Sequence, residues 1–289
     1  MQPINFVHIT DLHIGNPAVQ DDHLYSDTTA NLRAIMADIS ALDPRPSFIV
    51  ASGDLTNQGD EGSYRNLKAL MSECAPDIPV LYTLGNHDKR EAYYRVMENR
   101  SDGLHLPCDR AAVIDGVHVI LLDTSTPGRV GGHFEAGQLD WLKGELASQP
   151  DLPKLLVMHH APALDSDKPD MEWESLSFAD TEALRALLDG RRDILGILCG
   201  HIHYDRVSHW YGIPVVVGIG QHAATDVVAF STHMRMLAGA SFVLGTARDS
   251  GLTLSFVPQP SDRRELVSHE LAEMTAFIRQ IEATASAAE

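Results

Sequence analysis

Seven short runs of aliphatic and β-branched residues punctuate the chain, at 4–10, 47–52, 80–83, 117–122, 154–158, 194–199 and 213–217. Runs this short and this continuously apolar read as strands buried on both faces. Between them lie stretches with one-faced helical spacing. Residues 28–42 carry Leu32, Ile35, Met36 and Ile39 at such intervals, and 63–74, 137–146 and 180–188 read similarly. Strands alternating with helices predict a layered α/β fold whose sheets are covered by helices. After residue 240 the rhythm changes. Residues 240–258 read as two strands joined at Asp249-Ser250-Gly251, and a last helix carries Val267, Leu271, Met274, Ile278 and Ile281 along one stripe. The expected organisation is a main domain over 1–221 and a C-terminal extension over 222–289.

The 289 residues can bury a large core, and an apolar content of 44% is that of an ordinary globular protein. No apolar run reaches the ~18 residues of a membrane-spanning helix. Residues 1–7 show neither a basic leader nor a long apolar stretch, so cytoplasmic residence is expected. Cys74, Cys108 and Cys199 are far apart and odd in number, which suits free thiols in a reducing compartment. With 22 Lys+Arg against 40 Asp+Glu the formal net charge is -18, a field that opposes binding of long nucleic acid. A small anion would need a local cationic centre, and the 15 histidines indicate how one is made.

Five of the apolar runs end in metal-binding residue types. The first is followed by Asp11-Leu12-His13, the second by Gly53-Asp54, and the third by Gly85-Asn86-His87-Asp88. The run ending at Met158 leads into His159-His160, and that ending at Cys199 into Gly200-His201-Ile202-His203. Ligands of α/β sheets bind beyond the carboxyl ends of the strands, so these residues are expected on one rim. Carboxylate, imidazole and amide oxygen together favour Mn, Fe, Co or Zn over calcium. Asp11, His13, Asp54, Asn86, His159, His201 and His203 exceed what a four-coordinate site uses. They suit two ions that share one bridging carboxylate.

The ordered set D-x-H, G-D, G-N-H-D, a later His and G-H-x-H, spread over residues 11–203, resembles the calcineurin-like metallophosphoesterases. The resemblance implies a four-layer αββα sandwich. It implies one ion held by Asp11, His13, Asp54 and His203. The second would be held by Asp54, Asn86, His159 and His201, with Asp54 bridging. His87 would then lie beside the phosphate as a catalytic residue, oriented by Asp88. Two divalent ions bring four positive charges; two carboxylates and a bridging hydroxide leave one to attract a phosphate. Such ions lower the pKa of bound water from near 16 to about 7, giving a metal-activated hydroxide at neutral pH.

Departures from sibling patterns narrow the branch. Gly53-Asp54-Leu55-Thr56-Asn57-Gln58-Gly59 lacks the Asp and Arg of the protein phosphatases, and Asn57 stands where purple acid phosphatases place a Tyr ligand. The chain looks like the bacterial class III cyclic-nucleotide and glycerophosphodiester phosphodiesterases. That implies small phosphodiesters as substrates, with phosphomonoesters or phosphonate monoesters as alternatives on the same metals. A non-catalytic protein-binding scaffold is the remote alternative. Within the branch, Asn86, His87, His222 and Tyr25 are the expected substrate contacts. His160 is expected as a buried neighbour rather than a ligand, and His8 as a satisfied sheet histidine. The extension is expected to form a cap or a dimer contact, making the protein a homo-oligomer.

Overall fold

The computed structural model describes residues 2–74, 77–165, 168–228 and 235–259. The chain runs β1 (Ile4–Ile9), α1 (Thr28–Ser40), β2 (Phe48–Ser52), α2 (Glu61–Cys74), β3 (Val80–Thr83) and α3 (Arg90–Met97). It continues with β4 (Arg110–Ile114), β5 (Val117–Leu122), α4 (Gln138–Ala147), β6 (Lys154–Met158), α5 (Phe178–Leu188) and β7 (Ile194–Cys199). A 3-10 helix, Pro169–Glu174, precedes α5. Then follow β8 (Arg206–Trp210), β9 (Ile213–Val217), a short pair β10 (Ala224–Thr225) and β11 (Met236–Leu237), and the hairpin β12 (Ala240–Arg248) and β13 (Gly251–Gln259).

The strands form two main sheets, ordered β13-β12-β1-β2-β3 and β4-β5-β6-β7-β9-β8. In the first, β1, β2 and β3 are parallel; in the second, β5, β6, β7 and β9 are parallel, and antiparallel β4 and β8 close its edges. Strand alternation sorts the core into three layers. Phe6, Phe48, Val50, Val119, Leu155, Val157 and Val216 fill the space between the sheets, with Phe6 stacked on Phe48 at 5.3 Å. Val7, Ile9, Ile49 and Ala51 point the other way, onto Leu32, Ile35, Met36 and Ile39 of α1 and Tyr64 and Leu67 of α2. Leu156, Met158 and Ile197 pack on Leu142 and Leu146 of α4 and Leu184 of α5. The architecture is the four-layer αββα sandwich.

Asp27 caps α1 by accepting from the Ala30 N–H at 2.9 Å, and Ser177 caps α5 by accepting from the Asp180 N–H at 3.1 Å. The hairpin expected at 240–258 is present, but it is no appendage. β12 pairs antiparallel with β1 from Ile4↔Ala247 to His8↔Val243. The compact unit extends to Gln259, so the expected boundary at 221/222 does not coincide with a structural break. The expected last helix lies outside the described residues. Among the described residues no helix is long and apolar enough to cross a membrane.

Arg90, at the start of α3, is 7% exposed. It donates from Nε to Asp123 Oδ2 (2.8 Å), from Nη1 to Glu135 Oε1 (2.5 Å) and the His105 carbonyl (3.2 Å), and from Nη2 to the Ser125 carbonyl (2.6 Å). One guanidinium thus ties together the loops that follow β3, α3 and β5. Arg90→Ala leaves the fully buried Asp123 carboxylate without its cation. The expected cost is about 3–5 kcal/mol, read from the midpoint and slope of urea unfolding; a loss below 1 kcal/mol would contradict the bracket.

Candidate metal centre

Backbone conformation delivers the candidate ligands. Asp11, His13, Asp54, His201 and His203 all have positive φ, between 43° and 77°. A non-glycine residue there is strained, and such strain persists where the surroundings over-determine it. Hydrogen bonds between loops do so here: Asp11 N–H to Gly53 O (3.1 Å), His13 N–H to Asp54 O (2.9 Å) and Gly200 N–H to His159 O (3.0 Å). Two glycines give the ligands room. A Cβ on Gly53, which has φ 104°, would lie 2.7 Å from His159 Nδ1, and one on Gly85 would overlap the Asp54 carboxylate.

The first cluster joins loops from both sheets. His13 Nε2 lies 3.9 Å from Asp11 Oδ1, 3.6 Å from Asp54 Oδ2 and 3.3 Å from His203 Nε2; His203 Nε2 lies 3.3 Å from Asp11 Oδ1. Behind each ring stands an oxygen acceptor. His13 Nδ1 donates to Asn57 Oδ1 (2.8 Å), and His203 Nδ1 to the Ala223 carbonyl (3.0 Å). Carbonyl oxygens accept only, so both Nδ1 atoms carry the proton and both Nε2 atoms turn a lone pair inward. Four lone-pair donors therefore converge at the separations that ligands of one ion adopt.

The second cluster shares Asp54. His159 Nε2 lies 3.3 Å from Asp54 Oδ2, while its Nδ1 donates to the Ser52 carbonyl at 2.9 Å. His159 Nε2 and Asn86 Oδ1 are both buried without a hydrogen-bond partner. Orphaned polar atoms of this kind require an explanation, and a cation between them provides one. His201 Nε2 donates to the Trp173 carbonyl at 2.9 Å, which leaves Nδ1 as the nitrogen available to an ion. Its ring sits 5.2 Å from that of His159. The titration of these groups reflects the crowding. Burial pushes Asp54 up, but His159, His87 and His13 outweigh it and hold the carboxyl well below its usual range. Burial pushes His159 down, but Asp54 and Asp11 outweigh it and raise the imidazole to about 9. Burial also opposes ionisation of His87, which Asp54, the Asn57 carbonyl and Asp88 nonetheless raise.

The calcineurin-like phosphoesterase profile matches residues 4–205. The chain belongs to this family. It is 34% identical over 217 residues to a probable cyclic nucleotide phosphodiesterase of Rhodococcus erythropolis, covering 73% of this chain and 68% of that one. It is also 34% identical over 239 residues to a cAMP/cGMP dual specificity phosphodiesterase of Mycobacterium tuberculosis, covering 81% and 72%. These relatives match the bacterial class III branch. A dimetal phosphatase from Danio rerio shares the fold with a TM-score of 0.63 at 14% identity, over 88% of this chain and 95% of that one. The chain is a hydrolase of phosphoric esters.

Around the phosphoesterase centre the other sequence candidates divide. His87 stands at the rim with its ring 4.7 Å from that of His13, its backbone N–H on Asp54 Oδ1 (2.8 Å) and its Nδ1 donating to the Asn57 carbonyl (2.9 Å). The orienting contact on this ring thus comes from Asn57 rather than from Asp88. Asp88 instead accepts from the Gly85, Leu55 and Thr56 N–H groups and from Tyr64 Oη (2.7 Å), bracing the two ligand loops against each other. His222 packs its ring 4.7 Å from His13, accepts the Tyr25 N–H on Nε2 (3.0 Å), and carries the exposed Tyr25 ring stacked at 5.1 Å. Burial, then His203 and His87, lower its pKa to about 4.

His160 is fully buried with Nδ1 on Thr124 Oγ1 (2.8 Å) and Nε2 donating to the Val130 carbonyl (2.9 Å), so neither nitrogen is available to an ion. His8 is only half satisfied: Nε2 meets Ser52 Oγ at 2.8 Å, whereas Nδ1 is buried without a partner.

Sequence reasoning missed Asn57, noticed only for not being tyrosine. Its side chain fixes His13, its carbonyl fixes His87, and its Nδ2 donates to Asp21 Oδ2 at 2.6 Å. The available signal was its place three residues after the shared Asp54. Asn57→Leu removes the acceptor that sets the His13 tautomer and leaves every ligand in place. A 10–100-fold loss of Mn affinity is expected, measured by competition with a chromophoric chelator. An unchanged affinity would show that the tautomer is fixed by other means.

Proposed function

We propose that the chain hydrolyses small phosphodiesters, cyclic nucleotides foremost, with two divalent ions sharing Asp54. The observation that carries this reading is the convergence of inward lone pairs from Asp11, His13, Asp54 and His203, with orphaned His159 Nε2 and Asn86 Oδ1 beside it. The substrate class is supported by the relatives named above. Asp11, His13, Asp54 and His203 would hold one ion, and Asp54, Asn86, His159 and His201 the other; mixed oxygen and nitrogen donors suit Mn, Fe, Zn or Co. Bound there, the ions supply a water that ionises at neutral pH and Lewis-acid stabilisation of the phosphoryl oxygens.

The chain's own residues do the rest. Asp54 joins the two halves of the centre and lends one anionic charge to both. Asn57 keeps Nδ1 of His87 protonated and bonded, which leaves Nε2 for the substrate. From there His87 donates a proton to the leaving ester oxygen as the P–O bond breaks and the bond from phosphorus to the attacking oxygen forms. Asp88 holds the loop bearing Asn86 and His87 against the loop bearing Asp54. The three cysteines are free, in keeping with a cytoplasmic enzyme.

Elemental analysis of protein saturated with Mn or Zn should give two ions per chain; a single occupied site would remove the shared-carboxylate model. Asp54→Ala should lower kcat by far more than tenfold, since tenfold is only ~1.4 kcal/mol of barrier. His87→Ala should keep both ions yet slow turnover, and slow it more for alkoxide than for p-nitrophenol leaving groups. Equal losses on both would exclude proton donation, and loss of metal would make His87 a ligand.

A further inference from the structure

Asn86 and His87 also line a cavity of about 600 Å³, together with Lys89, Leu104, His105 and Pro127. The cavity therefore shares a proposed metal ligand, Asn86, and the proposed proton donor, His87, with the centre. A phosphate held at the centre can send one of its ester substituents into this cavity. In a 3′,5′-cyclic nucleotide the leaving oxygen is itself part of the ribose. If the leaving oxygen lies at His87, the sugar and base lie on the His87 side as well.

Size and chemistry agree with that placement. Pockets of 300–1,000 Å³ accommodate ligands of drug size, whereas a glycerol with six heavy atoms would leave most of this volume to water. Leu104 and Pro127 offer apolar surface to a base. Lys89 is exposed and forms no ion pair among the described residues, a cation beside the centre of a chain with net charge -18. The cavity is also built rather than incidental. Arg90 bonds the carbonyls of both His105 and Ser125, which fixes two of the loops that line it. On the second of these loops the Thr126 hydroxyl is buried without a partner.

We propose that this cavity is the nucleoside subsite: it receives the ribose and base of a cyclic nucleotide, with Leu104 lining the base and Lys89 adding charge beside the phosphate. The proposal rests on the phosphodiesterase reading, and its test is arranged so that the two fail separately.

Calorimetric titration of the full-length Mn-loaded protein compares 5′-AMP with inorganic phosphate, which share a phosphate and differ by the nucleoside. Wild type should bind AMP at least tenfold more tightly. Leu104→Trp, which fills the cavity, should reduce that ratio at least fivefold, and Lys89→Ala should weaken AMP binding at least threefold. A wild-type ratio near one, or a ratio that survives Leu104→Trp, overturns the subsite. Should Leu104→Trp not fold, the wild-type ratio and a Leu104→Phe variant carry the same decision. Turnover of 3′,5′-cyclic AMP is scored separately. AMP preference without turnover leaves the subsite standing and removes the substrate reading. Turnover without AMP preference does the reverse.

Discussion

Lone pairs from two imidazoles and two carboxylates face one another across less than 4 Å in the first cluster, and no hydrogen lies between the two imidazoles to relieve them. Such an arrangement is repulsive by itself, and the fold must hold it open. It does so from behind. The protons that would relieve the crowding are committed outward, on the Asn57 amide and on the carbonyls of Ser52, Trp173 and Ala223. Ser52 and Asn57 lie within three residues of Asp54, Trp173 lies in the 3-10 helix Pro169–Glu174, and Ala223 follows β9. Shifting any one of these segments would free a ring to flip, turn its N–H inward and cancel the attraction for a cation. Rotational order of four imidazoles is therefore the constraint from which the rest of the architecture follows.

Two sheets packed face to face satisfy that constraint better than one sheet can. β1 and β2 lead into Asp11, His13 and Asp54, while β6 and β7 lead into His159, His201 and His203, so each of the two proposed ligand sets draws on both sheets. The apolar layer between them, with Phe6 on Phe48 at its centre, sets the distance across which ligands must meet. β1 bears the first two ligands and is paired on both sides, with β2 and with β12. The C-terminal hairpin, which supplies no ligand, thus supports the site by preventing β1 from being an edge.

The parts of this legible in the sequence were those written in residue type and period. All seven expected strands occur within a residue of their expected limits, because buried parallel strands need continuous aliphatic runs. β4 and β8 were invisible for the complementary reason. They are sheet edges with alternating exposure, and Arg110 or Arg206, Ser208 and His209 on them break the apolar run. α3 is only eight residues long and follows directly upon the ligand loop, so its period had no room to show. That these side chains would gather on one rim was legible because Asp, His and Asn followed strand ends in order. What those ligands lean on was not, since a backbone carbonyl such as that of Ser52 or Trp173 leaves no trace in side-chain identity. Asn57 and Asp88 lie between these cases: their residue types were plain, but their roles came from partners more than 20 residues away in sequence.

The acidic surface and the anionic substrate are compatible because their fields act over different distances. At physiological ionic strength exposed charges are screened within about 8 Å, so most of the surface carboxylates do not reach the centre. The buried groups are screened far less, and there the balance of charge is set by Asp11, Asp54 and whatever cations they hold. A small diester presents one negative charge and meets only that local balance. A long polyanion would press further phosphates against the acidic surface, and each added phosphate would add repulsion rather than a contact. Net charge thus disfavours a substrate that extends far from the centre, and on the proposed nucleoside subsite the cavity lined by His87 sets how large its end is.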